Sequence, residues 1–340
     1  RHRSGSYESI RMLKFFKHSY LSQHIVVIVM AIILWLPTFI TKSAFFIGDD
    51  NTPLYNIIIS LFDFSPFIIN TIVFAIFVIS LFLFNSVLSA NRLVNKYSTV
   101  GSYTFVLMMC VYSNMPACYP FILACPFILM AMHTLFLIYQ TENPENYMMN
   151  IGYFIAVASL FYYPSIFLML WVFVSFLILG FRKLRYILIP FVAFMIVNAI
   201  VIGVAFLFGN YDNLIESYSS FFNNITLSSD MTIGNVFMLI LTTFLFIISL
   251  IKVLGSRNSD YGSNFKKRVG VGIVMTVLSA LVLFMHGSLM GNIMIFMMYA
   301  FFYAIALSDM KKSKIADIVM IVMTVIILAN QYLPLFGITI

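Results

Sequence analysis

Two acidic stretches hold the residue types with the most chemical potential in this sequence. Asp49 and Asp50 are adjacent, Asp63 follows after a short apolar run, and a later polar segment carries Asp212, Glu216 and Asp230. Neighbouring carboxylates can serve as a general base or hold a divalent cation, because each offers two anionic oxygens. Asp49 and Asp50 are therefore the candidate catalytic residues, and the candidate metal ligands if a divalent cation is used. Asp63, Tyr211, Asp212, Glu216, Tyr218 and Phe222 are candidate substrate-binding residues. The rings from Tyr211 to Phe222, Phe221 among them, could stack on a sugar or lie against a lipid headgroup. A plainer reading stands beside this one. Acidic residues are readily accommodated in outward-facing loops, and Tyr residues collect in interfacial belts.

Other reaction chemistries find little footing. There is no Walker loop, dinucleotide glycine pattern, HExxH helix or nucleophile elbow, which argues against a self-powered ATPase, a zinc peptidase and a serine hydrolase. Within the apolar segments the ionisable candidates are Asp317 and His133, while His24 and His286 sit near segment ends. Asp317 is expected to reach the interface or Lys314, and His133 to be a satisfied interior histidine. Cys110, Cys118 and Cys125 form neither a disulfide framework nor a zinc spacing and read as small buried hydrophobes. Asn224-Ile225-Thr226 matches a glycosylation triplet, a weak signal.

The elements that must position these residues are membrane helices. Apolar residues make up 62% of the 340-residue chain and charged residues 9%, far below the quarter or so typical of a soluble domain. Mean hydropathy is +1.02. Stretches such as 25–36 are apolar on every face, which excludes the alternating pattern of a barrel strand. Backbone polar groups in lipid must pair within the segment, so the spans are helical. The fold class is all-α, a polytopic bundle of about eleven spans of roughly 20 residues each.

Cation placement sets the topology. With the chain cut into spans and alternating loops, every one of the nineteen Lys and Arg except Lys42 falls on one side. Lys and Arg are retained in the cytoplasm during insertion, so that side is expected to be cytoplasmic, with the amino terminus inside and the carboxyl terminus outside. The net charge of +7 then follows from topology. Scattered over several loops, these cations give no reason to expect nucleic-acid binding, and juxtamembrane Lys and Arg attract anionic lipid headgroups.

The expected spans are 24–40, 66–88, 103–115, 120–139, 148–161, 165–181, 186–208, 234–254, 269–285, 291–307 and 315–333. Residues 54–64 read as a short interfacial helix, 209–233 as an outer loop, and 255–268 as a mobile inner loop rich in Gly and Ser. Pro116, Pro120 and Pro126 are placed to bend the third and fourth spans. The weakest joint is 148–181. It reads as a hairpin through Tyr162-Tyr163-Pro164, but one long kinked span would invert everything downstream. Residues 1–11 are polar and are expected to be an extension or tag remnant, with Met12 a credible initiator and 12–340 one membrane domain. No internal repeat supports an inverted-repeat transporter.

Two resemblances bear on function. The turn at Glu142 through Ala158-Ser159-Leu160-Phe161-Tyr162-Tyr163, then Arg182 to Phe194 with Ile189-Pro190-Phe191, resembles a family of uncharacterised polytopic inner-membrane proteins of Bacteroidota. That resemblance implies residence in the bacterial inner membrane. In layout the chain is similar to the GT-C membrane glycosyltransferases, which have an inner amino terminus and an acidic first outer loop. Asp49 and Asp50 match that feature, while the loop 41–65 is shorter than is usual in the superfamily. This similarity implies a base or metal ligand at Asp49 or Asp50 and a polyprenyl-phosphate-linked sugar as substrate. The expected function is a GT-C-like transferase at the outer face. The alternatives are a non-enzymatic scaffold or subunit with envelope protein partners, and a transporter or flippase of a lipidic substrate.

Overall fold

The structure is a computed structural model that describes residues 12–17, 21–40, 52–62, 66–112, 119–138, 141, 143–223, 233–255, 263–285, 289–310 and 313–333. Among these residues every regular element is a helix. The first group is α1 (Met12–Phe16), α2 (Leu21–Ile40), α3 (Pro53–Phe62), α4 (Pro66–Ala90), α5 (Val100–Met109) and α6 (Tyr119–Leu137). The second is α7 (Pro144–Phe161), a 3-10 turn (Tyr163–Phe167), α8 (Leu168–Leu179), α9 (Leu184–Leu207) and α10 (Tyr211–Asn223). The chain finishes with α11 (Ile233–Gly255), α12 (Ser263–Met285), α13 (Leu289–Ser308) and α14 (Ser313–Tyr332). A helix occupies each of the eleven expected spans. Among the described residues six helices are long and apolar enough to cross a membrane by length and composition: those in α2, α4, α6, α9, α11 and α14.

Helices that are apolar on every side can be satisfied by lipid or by other helices. Here the two outcomes separate sharply. All ten residues of α5 are buried, as is α13 from Ile293 to Leu307. Of the most apolar window, 72% is buried in α6 and 11% in α9. The bundle is thus built around α5, α6 and α13, with α9 and α11 on the outside.

Ten residues of α5 rise about 15 Å, half of the roughly 30 Å hydrocarbon thickness. The carbonyls of the non-helical residues that follow it must therefore find donors inside the protein. They find them on α14: Gln331 Nε2 donates to the carbonyls of Cys110 and Tyr112, each at 2.7 Å, and Asn330 Nδ2 to that of Val111 at 2.8 Å. The next residue mends a second break. Pro37 has no N–H for the carbonyl of Ile33, four residues back in α2, and the Tyr332 hydroxyl donates to that carbonyl at 2.7 Å.

The joint at 148–181 is a hairpin. Arg185, in the first turn of α9, pairs with Glu145 at the start of α7 at 2.9 Å. Farther along, a methyl group on Gly152 of α7 would overlap the Pro190 carbonyl of α9 and lie 2.8 Å from Ala193 Cβ. The contacts therefore advance in step, and α7 and α9 run parallel from the same side. The 3-10 turn and α8 must carry the chain back between them, and their combined rise of roughly 28 Å suffices to do so.

The remaining basic segments also meet one another. Arg268 donates to the carbonyls of Asn91 (2.6 Å) and Phe136 (3.5 Å), beyond α4 and near the end of α6. Lys252 donates to Ala306 at 2.9 Å and Lys17 to Met310 at 3.1 Å, both at the end of α13. The Phe16 carbonyl ending α1 accepts from the Thr99 amide at 2.9 Å, just before α5.

Three local expectations change. Residues 263–268 are the first turns of α12, not loop, and Arg268 is only 5% exposed. Residues 211–223 form a helix inside the expected outer loop. Asp317 accepts from the Leu13 amide at 2.6 Å, so it caps α1, where a carboxylate satisfies an otherwise open N–H.

Candidate functional site at the acidic end

The turn between α7 and α8 is the hub on which the acid-bearing segments rest. Tyr162 leaves the helix in an extended conformation and Pro164 follows two residues later, so the chain continues as a tight 3-10 turn. That exit leaves the Phe161 carbonyl open, and Thr52 Oγ1 donates to it at 3.0 Å. Thr52 is buried and directly precedes α3, which packs on α7 and α4. In sequence it comes just after Asp49, Asp50 and Asn51.

The second acid-bearing segment reaches the same turn from α9. Gly209, at φ 72°, supplies the left-handed residue that reverses the chain. On α10 the residues Leu214, Tyr218 and Phe221 recur at helical spacing and form the face turned toward the bundle. Tyr163 lies against Tyr218 (ring centroids 5.0 Å apart) and Phe221 (5.3 Å), and Phe167 meets Phe221 at 6.4 Å. The Tyr218 hydroxyl donates to Asn198 Oδ1 of α9 at 3.2 Å. Burial holds the Tyr218 phenol above its ordinary pKa, so it stays a neutral donor.

These contacts sort the expected site residues. Tyr218 is half-buried with its ring against Tyr163, and Phe221, considered with it, is buried. Tyr211 is exposed, edge-on to Phe206 at 6.3 Å, and Asp212 and Glu216 are also exposed. Phe222 belongs to α10, but its side chain lies outside the described residues, as do Asp49, Asp50, Asp63 and Asp230. Among the described residues no group of three His, Cys, Asp or Glu is placed to hold a metal. The arrangement thus presents an acidic, solvent-facing strip on a helix pinned by its aromatic face.

Sequence reasoning missed Thr52, Tyr163, Phe167 and Asn198, which hold the two segments on one turn. A signal for α10 was present: Tyr211, Leu214, Tyr218 and Phe221 follow a helical period, though polar neighbours obscure it. His133, expected to be satisfied inside the bundle, is half-buried with Nδ1 3.3 Å from Asn91 Nδ2. Cys110 and Cys125 are buried free thiols, and Cys118 lies outside the described residues. Comparison with protein-family models, with curated proteins and with solved structures finds no match for this chain.

Proposed function

We propose that this is a multi-pass protein of a bacterial inner membrane that serves as a non-enzymatic scaffold or subunit of an envelope assembly. In this reading the basic end is cytoplasmic, the chain crosses about eleven times, and the carboxyl terminus is outside. The observation that carries the proposal is the fixing of α10. Its apolar side is held on Tyr163 and Phe167, while Asp212 and Glu216 face outward as a preset acidic strip for a partner with a basic surface. A photo-crosslinking residue at Asn213 in native membranes is expected to trap a discrete adduct, weakened by Asp212→Ala with Glu216→Ala. Recovery of the uncrosslinked protein alone would count against the scaffold. Impermeant labelling of Ser219→Cys in intact cells tests the orientation separately.

One observation favours a second reading, a GT-C-like transferase using a polyprenyl-phosphate-linked sugar. Thr52 and α10 rest on the same turn, which is the convergence a shared outer site would need. Asp49 or Asp50 would then be the base, or would hold a divalent cation. Unchanged envelope glycans in a correctly inserted Asp49→Ala, Asp50→Ala protein would rule this reading out. The transporter or flippase reading has no comparable observation among the described residues.

A further inference from the structure

Opposite the acidic end, α8 and α9 are drawn apart by their other partners. Trp171 Nε1 of α8 donates to the Val271 carbonyl of α12 at 3.0 Å. The face of α9 carrying Pro190 and Ala193 is seated on Gly152 of α7. Between them runs a groove of about 300 Å³, lined by Val172, Phe173 and Phe176 from α8 and by Ile187, Leu188 and Phe191 from α9. Among the described residues no polar side chain lines it.

The charge near its mouth is mainly positive, with Arg182, Lys183 and Arg185 against Glu145. The α8–α9 connection carries Arg182 and Lys183, and Lys183 stands four residues, about one helical turn, before Ile187 of the groove. Arg185 is engaged by Glu145. Arg182 and Lys183 are exposed and have no polar partner among the described residues. The first turn of α9 directs its open N–H groups into the same connection, adding to the positive field.

We propose that this groove is a binding site for one anionic diacyl phospholipid from the leaflet at the basic end. An acyl chain lies between α8 and α9, and the phosphate sits on Arg182 and Lys183. An apolar slot beneath two exposed cations complements this ligand at both ends, whereas a zwitterionic lipid brings a second, repelled charge to the same place. The site is independent of the function proposed above, which concerns the opposite end.

The test uses the full chain in a non-ionic detergent, mixed with equimolar phosphatidylglycerol and phosphatidylethanolamine and read by native mass spectrometry. One phosphatidylglycerol is expected to be retained in preference. Arg182→Gln with Lys183→Gln should weaken its retention roughly thirtyfold, the equivalent of about 1 kcal/mol per removed cation. Leu188→Trp, which fills the groove and leaves both cations in place, should also weaken it. Arg92→Gln with Lys96→Gln removes exposed cations from another loop and should leave it unchanged. Equal retention of the two lipids, indifference to the Arg182 and Lys183 changes, or an equal loss in the Arg92 and Lys96 variant would each overturn the proposal.

Discussion

Helices end at both faces of this bundle, and each end leaves carbonyls without intrahelical donors. At the basic end cations answer several of them: Arg268 for Asn91 and Phe136, Lys252 for Ala306, and Lys17 for Met310. At the acidic end neutral groups do so: Gln331 and Asn330 just beyond α5, Thr52 at the end of α7, and Tyr332 at the Pro37 break within α2. The same backbone need is met by opposite side-chain chemistry. A cation gains from the negative end of a helix dipole. An amide or hydroxyl supplies the same hydrogen bond without a net charge.

The largest effect is expected at the buried cation. Arg268→Ala leaves two carbonyls without their donor and should destabilise the protein by about 3 kcal/mol, measured by reversible unfolding in mixed detergent. Arg268→Lys should recover more of that loss than Arg268→Gln; the reverse order would show that charge is irrelevant at this end. The counterpart at the other end is Gln331→Leu, expected to cost about 2 kcal/mol because two carbonyls just beyond α5 lose their donor. If Gln331→Leu unfolds like the parent protein, the neutral arrangement contributes nothing and the comparison fails. Thr52→Val removes one hydroxyl donor and should cost about 1 kcal/mol. It should also increase proteolytic nicking between α2 and α4.

The smallest effect concerns pH. Burial lowers the pKa of Lys17 from its ordinary value, with Asp309 opposing the shift. The unfolded chain therefore binds more protons than the folded one between the depressed pKa and the normal lysine value. Stability should rise with pH across that window and level off above it. Lys17→Met should flatten the rise. An unchanged slope in that variant would remove Lys17 from the set of cations that matter at the basic end.

The acidic strip was legible as a set of residues but not as a surface. Asp212, Glu216 and Tyr211 stand out by type alone, whereas the hold on α10 comes from Tyr163 and Phe167, distant in the chain. The Gly- and Ser-rich run before Lys266 reads as loop up to Arg268, because composition cannot register that α4 and α6 leave carbonyls within its reach. Asp317 likewise lies nearer in sequence to Lys314 than to Leu13, yet it is the open N–H at the start of α1 that it meets.

By itself the sequence determined the helical membrane character and the placement of the apolar segments. These follow from hydropathy and from the demand that backbone groups pair in lipid. Only the tertiary structure decided that α5 and α13 are central while α9 is outside, and that α8 turns back at Pro164. Lipid tails are as apolar as leucine, so a helix destined for the core and one destined for the bilayer carry nearly the same composition. What separates them is the fit of particular side chains and the donors waiting at their ends.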